Sequence, residues 1–245
     1  MFRDFQTIEI DTGEAVLFTR RAGNGPALLL LHGFPQTHLM WRDVAPQLAG
    51  RFTVICADLR GYGASSCPPS DSAHAPYAKR AMAADMTALM SKLGFGRFMV
   101  AGHDRGGRVA YRMALDHPDR VEKLAVLDIV ATADAWDRAD ARLAQGYWPW
   151  SLLAQPEPLP ELMLRGSAEA VVDNALQGWG SSPSAFPPDV RQAYVDALRD
   201  PAHIHAICEE YRAAATLDRE HDHADWAAGR RRRRSPPRPR GSDRP

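Results

Sequence analysis

The sequence predicts an α/β fold organised on a mostly parallel, doubly wound sheet with a helical insertion. Three observations carry that prediction. Nearly uninterrupted apolar runs at 27–31, 52–57 and 98–101 have the composition of parallel strands buried on both faces, where a polar side chain has no water to reach. Segments with apolar residues at helical spacing separate them, and strand–helix alternation implies parallel pairing through right-handed crossovers. From residue 131 onward the strand-like runs stop and helical patterns follow one another. At 245 residues, 45% hydrophobic and 24% charged, the chain can form one domain with a substantial core and an inserted subdomain.

Taken in order, the runs 7–10 and 15–19 flank Asp11-Thr12-Gly13, turn chemistry for an antiparallel hairpin at the sheet edge. The run 27–31 leads into His32-Gly33-Phe34-Pro35, and 52–57 into Asp58-Leu59-Arg60-Gly61-Tyr62-Gly63. Glycine-rich loops at strand carboxyl ends are where α/β sheets place ligands. After a Pro/Ser-rich loop at 67–76, the segment 77–93 carries Met82, Met86, Leu89, Met90 and Leu93 on one helical face, methionines for a core rather than a cofactor. A strand at 98–101 precedes a helix at 107–117 that Pro118 ends. The run 123–128 reads as another buried parallel strand closing on Asp128. Helices are expected at 135–146, 160–163, 168–177, 188–199 and 201–219, with Tyr147, Trp148 and Trp150 clustered between the first two. An all-helical insertion after a strand carboxyl end is a lid that shuts water from a site. The division is therefore a core at 1–130, a helical cap at 131–228 and an Arg/Pro-rich tail at 229–245, expected to be disordered.

Charge is unevenly spread. Residues 230–245 hold eight Arg against one Asp, so a chain of zero net charge divides into a body of −7 and a tail of +7. Only three Lys accompany 27 Arg, a bias that points to GC-rich coding DNA. Cys56, Cys67 and Cys208 are odd in number without C-x-x-C spacing, so free thiols are expected rather than disulfides or zinc. His203/His205 and His221/His223 lack the carboxylate or cysteine partners of a metal site. Neither a leader nor a run of eighteen apolar residues is present, and the reading is a cytoplasmic protein with no membrane partner, no metal and no cofactor.

Gly102-His103-Asp104-Arg105-Gly106 joins the third apolar run to its helix. Small residues on either side let a strand reverse into a helix through a tight, strained turn, the nucleophile elbow, with Asp104 in the place of the more usual Ser. The positive end of the helix favours an ionised carboxylate there by roughly 0.3–1 kcal/mol, and such a nucleophile suits displacement from saturated carbon. Gly33 frees the backbone before Phe34, so the Phe34 N–H is expected to point into the site as one oxyanion donor, with the Arg105 N–H as the other. Arg108 follows Asp104 by four residues on the same helical face. Two guanidinium groups there suit a carboxylate-bearing substrate. Arg112 is read as structural, and His103 as loop structure rather than a base.

These motifs, together with Leu153-Ala154-Gln155-Pro156, resemble the haloacetate dehalogenases of the α/β-hydrolase superfamily over residues 5–228. The motifs at 32–35 and 58–63 are shared with epoxide hydrolases and haloalkane dehalogenases; the arginines after the nucleophile and the aromatic lid segment discriminate. The resemblance implies an α/β-hydrolase fold and hydrolytic removal of halide from a small 2-haloacid through an ester on Asp104. It further implies that Asp128 orients a catalytic His, that Arg105 and Arg108 hold the substrate carboxylate, that Trp150 receives the departing halide, and that His32 and Tyr147 complete the substrate contacts. Fluoroacetate-cleaving members carry His before this Trp and a Tyr beyond the lid's Tyr-Arg pair, where this chain has Pro149 and Thr216. Chloro- and bromo-acids are therefore the expected substrates.

The family pattern also calls for two further strands and a His after the last of them. None of the nine histidines follows a strand-like run downstream of the lid. The abrupt change after 224–228 is what GC-rich DNA read out of frame produces, so a truncated or frameshifted product is expected over an evolved nucleic-acid-binding tail. An incomplete sheet would expose an apolar edge, and a chain without the His would stall at the ester. An epoxide hydrolase using Tyr147 or Tyr211, a catalytically dead carboxylate-binding fragment, and a homodimer stay open as alternatives.

Overall fold

Six strands form one sheet in the order β1-β2-β4-β3-β5-β6 in the computed structural model, which describes residues 1–178 and 182–230. The tail from 231 onward lies outside the described residues. β1 (Gln6–Asp11) and β2 (Val16–Ala22) form the expected hairpin, and β2 joins β4 (Thr53–Ala57) antiparallel. β3 (Ala27–Leu31) pairs parallel with β4 and with β5 (Phe98–His103), which pairs parallel with β6 (Val121–Leu127).

Alternate side chains of the central strands enter two apolar layers, as a period of two dictates. Leu29, Leu31, Ile55 and Val100 pack with Met82, Met86, Leu89 and Met90 of α2 (Lys79–Lys92) and Val109 and Met113 of α3 (Asp104–Asp116). Leu30, Val54 and Cys56 pack on the other side with Phe2, Phe5, Trp41 and Ala45, the last on α1 (Ala45–Ala49). The chain leaves β3 for β4 on one side and returns to β5 on the other, so the carboxyl ends of β3 and β5 meet at the switch in strand order, with Leu31 opposite Gly102. A crevice opens at such a point because the connections diverge from it.

β6 departs from the expectation of a buried strand. Leu124, Val126 and Leu127 are each more than 40% exposed, because β6 ends the sheet and pairs with β5 alone. An apolar edge with free backbone groups is a template for self-pairing. Val126→Lys is expected to lower the aggregated fraction severalfold in size-exclusion chromatography with light scattering; an unchanged fraction would place the sticky surface elsewhere.

The cap is helical throughout its described residues: α4 (Thr132–Asp137), α5 (Ala141–Gly146), α6 (Trp148–Leu152), α7 (Leu159–Leu164), α8 (Ala168–Gly178), α9 (Pro188–Ala197), α10 (Pro201–Ala215) and α11 (Leu217–Ala227). The single helix expected at 135–146 is two, because the Asp140 carboxylate accepts the N–H groups of Arg142 and Leu143 and starts a new helix. The helix expected at 201–219 ends at Ala215, where Thr216 leaves helical geometry (φ −117°, ψ −94°). Arg112 ties α3 to α11 through Asp222 at 3.0 Å and Asp225 at 2.6 Å, a structural role.

Candidate active site

The turn from β5 into α3 places Asp104 at φ +45°, a left-handed conformation that costs a non-glycine residue energy and persists where neighbours enforce it. The neighbours are backbone. A Cβ on Gly102 would stand 2.3 Å from the Gly106 carbonyl oxygen, and one on Gly106 would stand 2.3 Å from that of His32. The Gly106 N–H donates to the same His32 carbonyl at 2.8 Å, so the elbow is docked on the loop after β3. A Cβ on Gly33 would meet Asp104 Oδ2 at 2.8 Å, and the next residue, Phe34, donates its N–H to that oxygen at 3.0 Å. Asp104 Oδ1 accepts no hydrogen bond from any described residue.

Asp104 faces a cavity of about 200 Å³. Phe34, Pro35, Gln36, His103 and Asp128 form its floor from the core; Tyr147, Pro149, Trp150, Ala175, Leu176, Phe186 and Tyr211 close it from the cap. Trp150 is 6% exposed and stands edge-on to Trp136 (5.5 Å) and Tyr211 (6.5 Å). Its indole N–H has no hydrogen-bond partner among the described residues. Arg105 and Arg108 are both buried and stack on the aromatic wall: Arg105 lies 4.0 Å from the Tyr211 ring centre and Arg108 lies 4.5 Å from that of Trp150. Each keeps one buried nitrogen without a hydrogen-bond partner among the described residues, Nη1 of Arg105 and Nε of Arg108. Burial opposes the charge of both. For Arg108 it wins and lowers the pKa; for Arg105 it is outweighed, chiefly by Glu210 with help from Asp104, and the pKa is raised.

Residues 26–226 match the family model of the α/β-hydrolase fold. The chain belongs to the α/β-hydrolase fold family. This hydrolase is 49% identical over 226 residues to a fluoroacetate dehalogenase of Burkholderia sp, covering 92% of this chain and 74% of that protein. A solved structure from Nostoc sp PCC 7120, assigned as an α/β hydrolase, superposes with a TM-score of 0.91 at 50% identity, over 93% of this chain and 78% of that one. Another from Pseudomonas aeruginosa, assigned as an epoxide hydrolase, gives 0.88 at 43% identity, over 94% and 76%.

Within this hydrolase several residues stand elsewhere than the sequence suggests. His32 is outside the residues that line the cavity: it is fully buried, its Nε2 accepts the Leu59 N–H at 3.1 Å, its Nδ1 lies 3.1 Å from the Gly33 carbonyl, and burial lowers its pKa. It braces the loop that presents Phe34. Asp128 lines the cavity at φ +53° and is exposed; among the described residues no histidine pairs with it. His103, expected as loop structure, lines the cavity, and its Nδ1 is buried without a partner. Tyr147 lines the cavity while 49% exposed. Thr216 is outside the cavity, its hydroxyl donating to the Arg212 carbonyl at 2.8 Å, in a separate groove beside His74 and Glu209. Sequence reasoning missed the apolar ceiling of Leu176 and Phe186, and the buried group of Lys79, Tyr62 and Glu210 behind Arg105. One local signal marks the latter: a Lys in the first turn of a helix opposes the helix dipole, and Lys79 stands there.

Proposed function

We propose that this hydrolase displaces halide from a small 2-haloacid through an ester on Asp104. The observation that carries the reading is the Asp104 carboxylate, with Oδ2 held by the Phe34 N–H, facing a small cavity backed by two buried guanidinium groups, where neither Oδ1 nor the Trp150 indole N–H has a hydrogen-bond partner among the described residues. The similarity to a fluoroacetate dehalogenase supports it.

In the first step Oδ1 attacks the halogen-bearing carbon in line, a carbon–oxygen bond forms, and the carbon–halogen pair leaves as halide toward Trp150. Arg105 and Arg108 hold the substrate carboxylate and so set the α-carbon against Oδ1. Oδ2 becomes the ester carbonyl oxygen, already held by the Phe34 N–H, and the Arg105 N–H is the second donor assigned to its oxyanion. Water then adds at Cγ with loss of a proton to a base, the Cγ–oxygen bond to the substrate breaks, and a 2-hydroxyacid departs. His103 is the histidine that lines the cavity among the described residues, and with no histidine on Asp128 the second step is slow.

Incubation with bromoacetate or chloroacetate is expected to release about one halide per chain and leave one carboxymethyl group on Asp104, read by intact mass and peptide mapping. Soluble, folded protein that gives neither halide nor adduct sinks the proposal. Fluoroacetate is expected to react slower than chloroacetate by at least about 10²-fold, since Pro149 offers no donor and one missing donor to developing charge costs about that much. Comparable rates would contradict this account of leaving-group assistance.

A second reading, epoxide opening, is favoured by one observation: Tyr147 and Tyr211 both line the cavity with Asp104. Turnover of styrene oxide with no reaction of haloacids would select it.

A further inference from the structure

Glu210 lies in the middle of α10 with no exposure to water. A buried carboxylate costs several kcal/mol unless it is fully paired, and here the pairing is dense. Oε1 accepts from Arg105 Nε at 2.7 Å and forms an ion pair with Lys79 Nζ, Oε2 accepts the Tyr62 hydroxyl at 2.5 Å, and the Glu210 backbone carbonyl accepts Arg105 Nη2 at 3.4 Å. Burial alone would raise its pKa; Arg105 and Lys79 outweigh that and hold it down to about 2. Lys79 is on the same oxygen as Arg105 and also pairs with the buried Asp218 at 3.5 Å, so two cations face two carboxylates. Charge balance of this kind does not fix which edge of Arg105 is gripped.

The geometry of that grip does. Glu210 takes the Nε and Nη2 side of the guanidinium, Tyr211 takes its face at 4.0 Å, and Nη1 is left buried with no hydrogen-bond partner among the described residues. We infer that Glu210 is the positioning residue of the anion site: it turns Arg105 so that Nη1 is reserved for the substrate carboxylate, while Lys79 and Tyr62 hold Glu210 in register. Guanidinium–anion recognition depends on which edge is presented, so a fixed edge converts a buried charge into an oriented donor. The inference rests on the reading of a carboxylate-bearing substrate made above.

The test compares wild type with Glu210→Gln in two ways. Acetate binding is measured by calorimetry, which requires no chemistry at Asp104. Ester formation on Asp104 is followed against the concentration of bromoacetate and of bromoacetamide, its uncharged counterpart. Glu210→Gln is expected to raise the acetate Kd and the half-saturating bromoacetate concentration by roughly ten- to hundredfold, with the bromoacetamide reaction within about twofold of wild type. Glu210→Asp recovers part of the loss. Tyr62→Phe removes one anchor of Glu210, keeps its charge, shifts both values severalfold in the same direction, and decides the matter if Glu210→Gln does not fold. Unchanged acetate and bromoacetate affinities in the folded variant, an equal loss with bromoacetamide, or a wild type that does not bind acetate each overturn the inference. Acetate binding that depends on Glu210, without any ester on wild-type Asp104, would keep it and sink the haloacid reading instead.

Discussion

Replacing Asp104 with Asn abolishes bromide release from bromoacetate and the ester that accompanies it, a loss of at least about 10³-fold, with the fold intact. Asn has nearly the shape of Asp, and its amide oxygen still accepts the Phe34 N–H that now holds Oδ2 at 3.0 Å. What disappears is the negative charge on the oxygen that attacks carbon. Bromide by ion chromatography and intact protein mass check both halves of the expectation. Alkylation of cysteine does not mimic the result, because burial raises all three thiols, Cys67 to about 12 and Cys56 and Cys208 further, and the thiol form is a poor nucleophile. An Asp104→Asn variant labelled as fast as wild type would move the nucleophile elsewhere.

The largest expected loss of stability comes from Gly106→Ala. Its Cβ would stand 2.3 Å from the His32 carbonyl oxygen and 2.6 Å from the Leu31 carbonyl carbon. Those atoms are backbone at the end of a central strand, so relief requires β3 to shift against β5 and breaks the Gly106 N–H bond to His32. A cost of roughly 3 kcal/mol or more follows, which lowers Tm by about 6–12 °C for a chain of this size, and the site is lost before the fold. Gly96→Ala is the comparison: nothing lies within 4 Å of its added Cβ, and it is expected to change stability by less than about 0.5 kcal/mol. Equal melting temperatures for the two variants would mean that the elbow tolerates a side chain the packing forbids.

The parts of this hydrolase that are legible in sequence are those whose information is local. The run Ala27–Leu31 is a strand with the expected bounds, because continuous burial on both faces demands continuous apolarity. The elbow is legible because a strand reversing into a helix needs small residues at fixed offsets, and Gly102 and Gly106 supply them. The break inside the helix expected at 135–146 is not legible, because both halves share one periodicity and only the Asp140 cap separates them.

The strand–helix alternation, the strained turn and the carboxylate at its tip were thus determined by the sequence alone, since each is set by residues within a few positions of one another. Tertiary structure decided which way the surrounding polar groups face. It turned His32 inward to brace a loop, left β6 uncovered at the end of the sheet, put Tyr211 rather than Thr216 at the cavity, and placed Glu210 against an arginine 105 positions earlier. No periodicity encodes such a pairing: it arises where the Glu210 side chain on α10 reaches Arg105 at the elbow, and the cost of burying a lone charge is what draws the two together.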